Sequence, residues 1–155
     1  MKRLTQTVAR WRELPESERR QLCEAVLRLS VARLQTLLRP FHRIVAGWNA
    51  SDRASEDCDE TKILATAIRR AARIVPFRAL CFEKALALHA MTKARHGALT
   101  VHYGLARNEG GSLRGHVWVE CAGEMVLGGD IHDRFELLAT FPPKRADTGA
   151  SMPKR

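Results

Sequence analysis

At His96-Gly97 the apolar period of the chain changes from helical to alternating, and this narrows the fold more than any other feature. Upstream, residues 81–95 (CFEKALALHAMTKAR) read as a helix with Ala85, Leu88, Met91 and Thr92 on the face of Cys81. Downstream, Leu99, Val101, Tyr103 and Leu105 alternate with Thr100, His102 and Gly104, the period of a half-buried strand. Residues 108–112 form a loop. His116 to Cys121 (HVWVEC) reads as a second strand and Met125 to Gly128 as a third. Ala122-Gly123-Glu124 between them has the length and the glycine of a hairpin turn. Residues 131–141 show no deciding period.

The chain before this point reads as helical. Residues 1–48 form an N-terminal helical portion. Its main helix starts near Pro15-Glu16-Ser17-Glu18, carries Leu22, Val26, Leu29, Leu34, Leu37 and Leu38 at helical spacing, and ends at Pro40. Residues 49–60, NASDRASEDCDE, read as a polar, acidic linker. A short helix from Thr61 to Ile74 places Ile63, Leu64, Ala67, Ile68 and Ala71 on one side before Pro76 breaks it. Residues 61–141 then form the core and residues 142–155 a frayed tail. Helices followed by an antiparallel meander make an α+β domain.

A chain of 155 residues suits one domain, and 45% apolar residues suffice for a core. No apolar run reaches the length of a membrane span, and the N-terminus lacks the apolar stretch of a signal peptide. The expectation is a soluble cytoplasmic protein. The net charge of +9 favours anionic partners, but the arginines are dispersed and aromatics make up only 6% of the chain. Nucleic-acid binding is therefore the weaker reading of the charge. Cys23, Cys58, Cys81 and Cys121 contain no CxxC pair and are expected as free thiols. No histidine pair accompanies a carboxylate at ligand spacing, so no metal is expected.

Cys81 is the residue with chemical promise. It opens its helix, where the dipole and unsatisfied N–H groups favour a thiolate and can receive a developing oxyanion. His116, at the start of a strand, supplies a base for the thiol. If Cys121 pairs with Met125 across a three-residue turn, His116 falls opposite Asp130, near enough for the carboxylate to orient the imidazole. A two-residue turn would displace Asp130, and Glu120 is then the alternative acid. Trp118 shares the His116 face, where it either lines the cleft or fills the core. Glu83 and Lys84 read as surface residues, and His42, His89, His96, His102 and His132 as structural ones.

The stretch Pro76-Phe77-Arg78-Ala79-Leu80-Cys81-Phe82-Glu83-Lys84-Ala85-Leu86-Ala87-Leu88, then Tyr103-Gly104-Leu105-Ala106, then Gly115-His116-Val117-Trp118-Val119-Glu120, resembles the B-type leader peptidases of lasso-peptide biosynthesis. The resemblance covers roughly residues 10–140. It implies a papain-like or transglutaminase-like fold and a cysteine peptidase that removes the leader from a ribosomally made precursor. It implies Cys81 as nucleophile, His116 as general base and Asp130 as third member, with no cofactor. Val117 stands where the family has Ala, and Gly128-Gly129 before the acid departs from its pattern. The implied partners are the precursor peptide, a separate leader-recognition protein and a cyclase acting on the released core. Two other readings stay open: a transglutaminase-like acyltransferase or amidase on another peptide, and a basic binding module without catalysis.

Overall fold

Helix α1 (Glu16–Leu38) begins directly after Pro15, where a missing N–H costs no helical bond, and Glu16 and Glu18 sit in the dipole-favoured first turn. This computed structural model describes residues 13–48, 58–108 and 110–142. Residues 1–12 of the expected N-terminal portion, 49–57 of the expected linker and 143–155 of the expected tail lie outside the described residues. The buried stripe of α1 is Leu22, Ala25, Leu29 and Ala32. Leu34, Leu37 and Leu38, expected on that stripe, are exposed instead. Continuing the stripe leads to Arg33 and Thr36, which both meet Glu83, and this turns the three leucines to water.

Pro40 ends α1 as expected. A short helix, α2 (Phe41–Val45), and a single 3₁₀ turn at Ala46–Trp48 bury Ile44, Val45 and Trp48. The end of the expected linker is not linker. Cys58 is buried, and Asp59 and Glu60 form the first turn of α3 (Asp59–Ala71). Acidic residues suit that end of a helix. Leu64, Ala67, Ile68 and Ala71 face the core as expected, whereas Ile63 is exposed. Helix α4 (Cys81–Lys93) is buried almost all round, since α1, α3 and the sheet all pack on it.

Four antiparallel strands follow: β1 (Thr100–Arg107), β2 (Leu113–Cys121), β3 (Glu124–Leu127) and β4 (Glu136–Phe141), in the order β3-β2-β1-β4. The undecided segment 131–141 thus holds most of a 3₁₀ turn (Gly129–Arg134) and β4 on the outer edge of β1. Val101, Val117, Val119 and Cys121 join the core with the helices. His102, His116 and Trp118 alternate with them and lie on the other face.

Helix α3 is tied to the β2–β3 hairpin. Cys58 and Cys121, expected as free thiols, form a disulfide with their Cα atoms 5.8 Å apart, leaving Cys23 and Cys81 free. Their wide separation in sequence hid the contact, which forms because the start of α3 lies against the end of β2. Lys62 pairs with Glu124 at 2.6 Å, and Arg69 donates to the Val126 carbonyl at 2.7 Å.

Candidate active site

Cys81 is the first residue of α4 and is half-buried. The helix start is fixed by Glu83, a residue that reads from sequence as a solvated surface acid. It is 1% exposed. One carboxylate oxygen accepts from the Leu80 N–H at 2.9 Å. The other accepts from Arg33 at 2.9 Å and from the Thr36 hydroxyl at 3.2 Å. A single buried carboxylate thus caps the helix that carries the thiol and fastens α1 to it. The sequence does hold a signal for this role: an acid three positions after the last non-helical residue is placed to reach back to that residue's N–H.

His116 is 8% exposed and sits on β2, facing away from the helical core. Its Nε2 lies 2.7 Å from the Gly128 carbonyl oxygen. A carbonyl can only accept, so Nε2 carries the hydrogen and the neutral ring keeps its lone pair on Nδ1. Phe135 packs on the imidazole with ring centres 4.9 Å apart, and Trp118 stacks at 6.0 Å.

Trp118 is buried, so it packs the second face of the sheet. Its indole lies over Gly104, where any Cβ would come within 2.9 Å of the ring. It also stacks on His102 at 5.5 Å. His102 in turn donates from Nε2 to the Glu120 carboxylate at 3.0 Å, and its Nδ1 shares a hydrogen bond with the Thr140 hydroxyl at 3.1 Å. Glu120, the alternative acid for His116, is therefore engaged by a different histidine.

The expected register across the hairpin is not the observed one. Cys121 pairs with Glu124, not Met125, so the turn has two residues. Ala122 and Gly123 both have positive φ, 46° and 87°, the conformation that matches the strand twist in a two-residue turn. A bulge at Val119/Glu120 then shifts the pairing to Val119 with Leu127. The strand stops there. Gly128, at φ 73°, turns the chain into the 3₁₀ segment. Asp130 is therefore no cross-strand partner of His116, and the Gly128 carbonyl occupies the place expected for its carboxylate.

Asp130 nevertheless shares a cleft with the other two. Cys81, His116 and Asp130 line one hollow of about 420 Å³, together with Arg69, Arg73 and Lys84. Asp130 is exposed, and among the described residues no hydrogen bond links it to His116 or links Cys81 to His116. A thiol at a helix start and an imidazole on an adjacent strand, open to one cleft, suit nucleophilic acyl chemistry. The transglutaminase-like superfamily model matches residues 4–140. The chain belongs to the transglutaminase-like superfamily. That superfamily typically comprises cysteine peptidases and acyltransferases, and its α+β architecture is the one described above. No curated protein matches the chain. No solved structure matches it either. Among the described residues of this transglutaminase-like chain, no helix is long and apolar enough to cross a membrane.

Proposed function

We propose that this chain is a cysteine peptidase that removes the leader from a ribosomally made lasso-peptide precursor, with Cys81, His116 and Asp130 as its working residues. The observation that carries the reading is the cleft shared by these three side chains, with His116 tethered through Nε2 to Gly128. That tether leaves Nδ1 to exchange protons with the thiol. The superfamily membership supports acyl chemistry at a cysteine, and the resemblance of the Cys81 and His116 segments to leader peptidases supports the substrate class.

The steps follow from these positions. His116 Nδ1 takes the Cys81 proton, and Sγ attacks the carbonyl carbon at the leader–core junction. The carbonyl oxygen becomes an oxyanion near first-turn N–H groups of α4, which have no intrahelical acceptor. Collapse breaks the C–N bond, and the imidazolium gives its proton to the departing core amine. The leader remains as a thioester. Nδ1 then removes a proton from water, the hydroxide adds to the thioester carbon, and the thiolate leaves and is reprotonated. The products are a leader carboxylate and a free core amine, the group that a cyclase needs to close a ring. Asp130 serves as a nearby negative charge that favours the imidazolium. The reading includes a separate leader-recognition protein that presents the precursor.

The test is incubation of the chain with a lasso-peptide precursor and a leader-recognition protein, followed by mass spectrometry. Released core with the native chain and none with Cys81→Ala or His116→Ala is the expected result. Equal release by Cys81→Ala would overturn it.

A further inference from the structure

Three arginines that bridge helices are held in ion pairs: Arg33 with Glu83, Arg70 with Glu18, and Arg95 with both Glu24 and Glu60. Arg39, Arg43 and Lys93, which line a separate hollow of about 270 Å³ among the helices, have no carboxylate partner among the described residues. The same is true of the cations around the cleft. Arg69, Arg73 and Lys84 line the hollow of Cys81 and His116, and among the described residues none has a carboxylate partner. Asp130 is the one acid on that wall.

A second hollow of about 580 Å³ adjoins the first, and Ile131 lines both. Its cations are Arg107 and Arg114, at the loop end of the β1–β2 hairpin, and Arg134, at the end of the 3₁₀ turn. All three are exposed, and among the described residues none has a carboxylate partner and no acid lines this hollow; Glu109, between the lining residues Asn108 and Gly110, lies outside the described residues. Arg107 is held in place by a 3.1 Å bond to the Gly111 carbonyl. Six cations therefore line two hollows that share Ile131 in their walls, one holding the thiol and the other lined also by Phe135.

Like charges along the same walls repel one another and gain from a polyanion that bridges them. The mixed lining, with Ile131 and Phe135 between the charges, suits a polypeptide with side chains of both kinds better than a bare phosphate chain. We infer that the two hollows form one substrate track, and that it binds an acidic stretch of the peptide beside the bond that Cys81 cleaves. The inference rests on the peptidase reading for the identity of the peptide, but not for the existence of the track.

The test uses the full chain carrying Cys81→Ala, so that nothing turns over. Fluorescein-labelled octaglutamate, octaglutamine and an eight-residue oligo-dT are titrated by anisotropy at moderate salt. Octaglutamate should bind about tenfold or more tighter than octaglutamine and tighter than oligo-dT. The triple change Arg107→Gln, Arg114→Gln, Arg134→Gln should weaken octaglutamate by about tenfold. An equal loss of charge elsewhere, Arg19→Gln with Arg39→Gln and Arg43→Gln, should change it by less than about threefold. The charge-reversed triple (Arg→Glu at 107, 114 and 134) should gain affinity for octalysine, which shows that a weakened variant is still folded. Equal weakening by both triples, no preference for glutamate over glutamine, or tighter oligo-dT overturns the inference. If octaglutamate binds as described and the native chain cleaves nothing, the track stands and the peptidase reading falls. If the native chain cleaves the precursor but shows no glutamate preference, the peptidase reading stands and the track falls.

Discussion

A methyl group on Gly128 would lie 2.7 Å from the Val117 carbonyl oxygen and 3.5 Å from His116 Nε2, at a φ of 73° that side chains rarely adopt. Gly128→Ala should therefore lose about 1–3 kcal/mol in urea unfolding. It should also slow precursor cleavage by about tenfold or more, because a shift of the carbonyl swings the imidazole it holds. Unchanged cleavage would mean that the Gly128 tether does not orient the base. Asp130→Asn separates two roles for the acid. An exposed charge acting across the cleft predicts a loss in kcat of about tenfold or less, whereas a direct partner of the imidazole predicts a far larger one. The placing of Cys81 at a helix start and of His116 on a strand is readable in the sequence because both follow from local patterns, although β2 begins three residues earlier, at Leu113, than the expected start at His116. The surroundings of His116 are not, because the register depends on Ala122 adopting a φ of 46°, which alanine takes only when the flanking strands impose it.

Glu83 joins two helices, and its removal should be felt in both. Glu83→Ala leaves the Leu80 N–H uncapped and takes the partner from Arg33. Because Arg33 is partly exposed, the expected cost is at the lower end for a buried pair, roughly 2–4 kcal/mol by urea unfolding. A second readout is slower alkylation of Cys81, as the first turn of α4 frays. Glu83→Ala with full stability would show that the contact is incidental. The elements themselves were largely legible. The alternating period identified β1 and β2, and the apolar run identified α4. The period of α1 was legible, and Leu22 and Leu29 lie on its buried face as expected, but two small alanines rather than the last leucines complete it. Nothing in the sequence of 131–141 specifies an edge strand, because β4 is partnered only by β1 and its residues are exposed or half-buried.

Across the whole molecule, acid should weaken the fold from within α4. Burial pushes the His89 imidazole down to about 4, with the nearby Lys93 charge acting the same way. Unfolded, His89 titrates near the ordinary value of 6.5. Between these values the unfolded chain binds more protons, so the stability present above about pH 6.5 is lost as pH falls toward 4. The shift corresponds to roughly 3 kcal/mol. His89→Leu should flatten the pH profile of urea unfolding between pH 6.5 and 5, above the range where Glu24, held below its usual value by Arg95, is protonated. A profile unchanged in that variant would place the acid sensitivity elsewhere. The Cys58–Cys121 bridge spans 63 positions, and reducing it should lower stability by about 2–4 kcal/mol. Of the two free thiols, Cys81 opens on the cleft of His116, and Cys23, exposed and free, is the internal reference for it. The decisive measurement is the alkylation rate of both thiols by iodoacetamide, followed by peptide mass spectrometry across pH in the native chain and in His116→Ala. Alkylation of Cys81 at least about tenfold faster than Cys23, with the advantage lost in His116→Ala, is the predicted result. A Cys81 that reacts no faster than Cys23, or that ignores His116→Ala, would contradict a Cys81–His116 nucleophile.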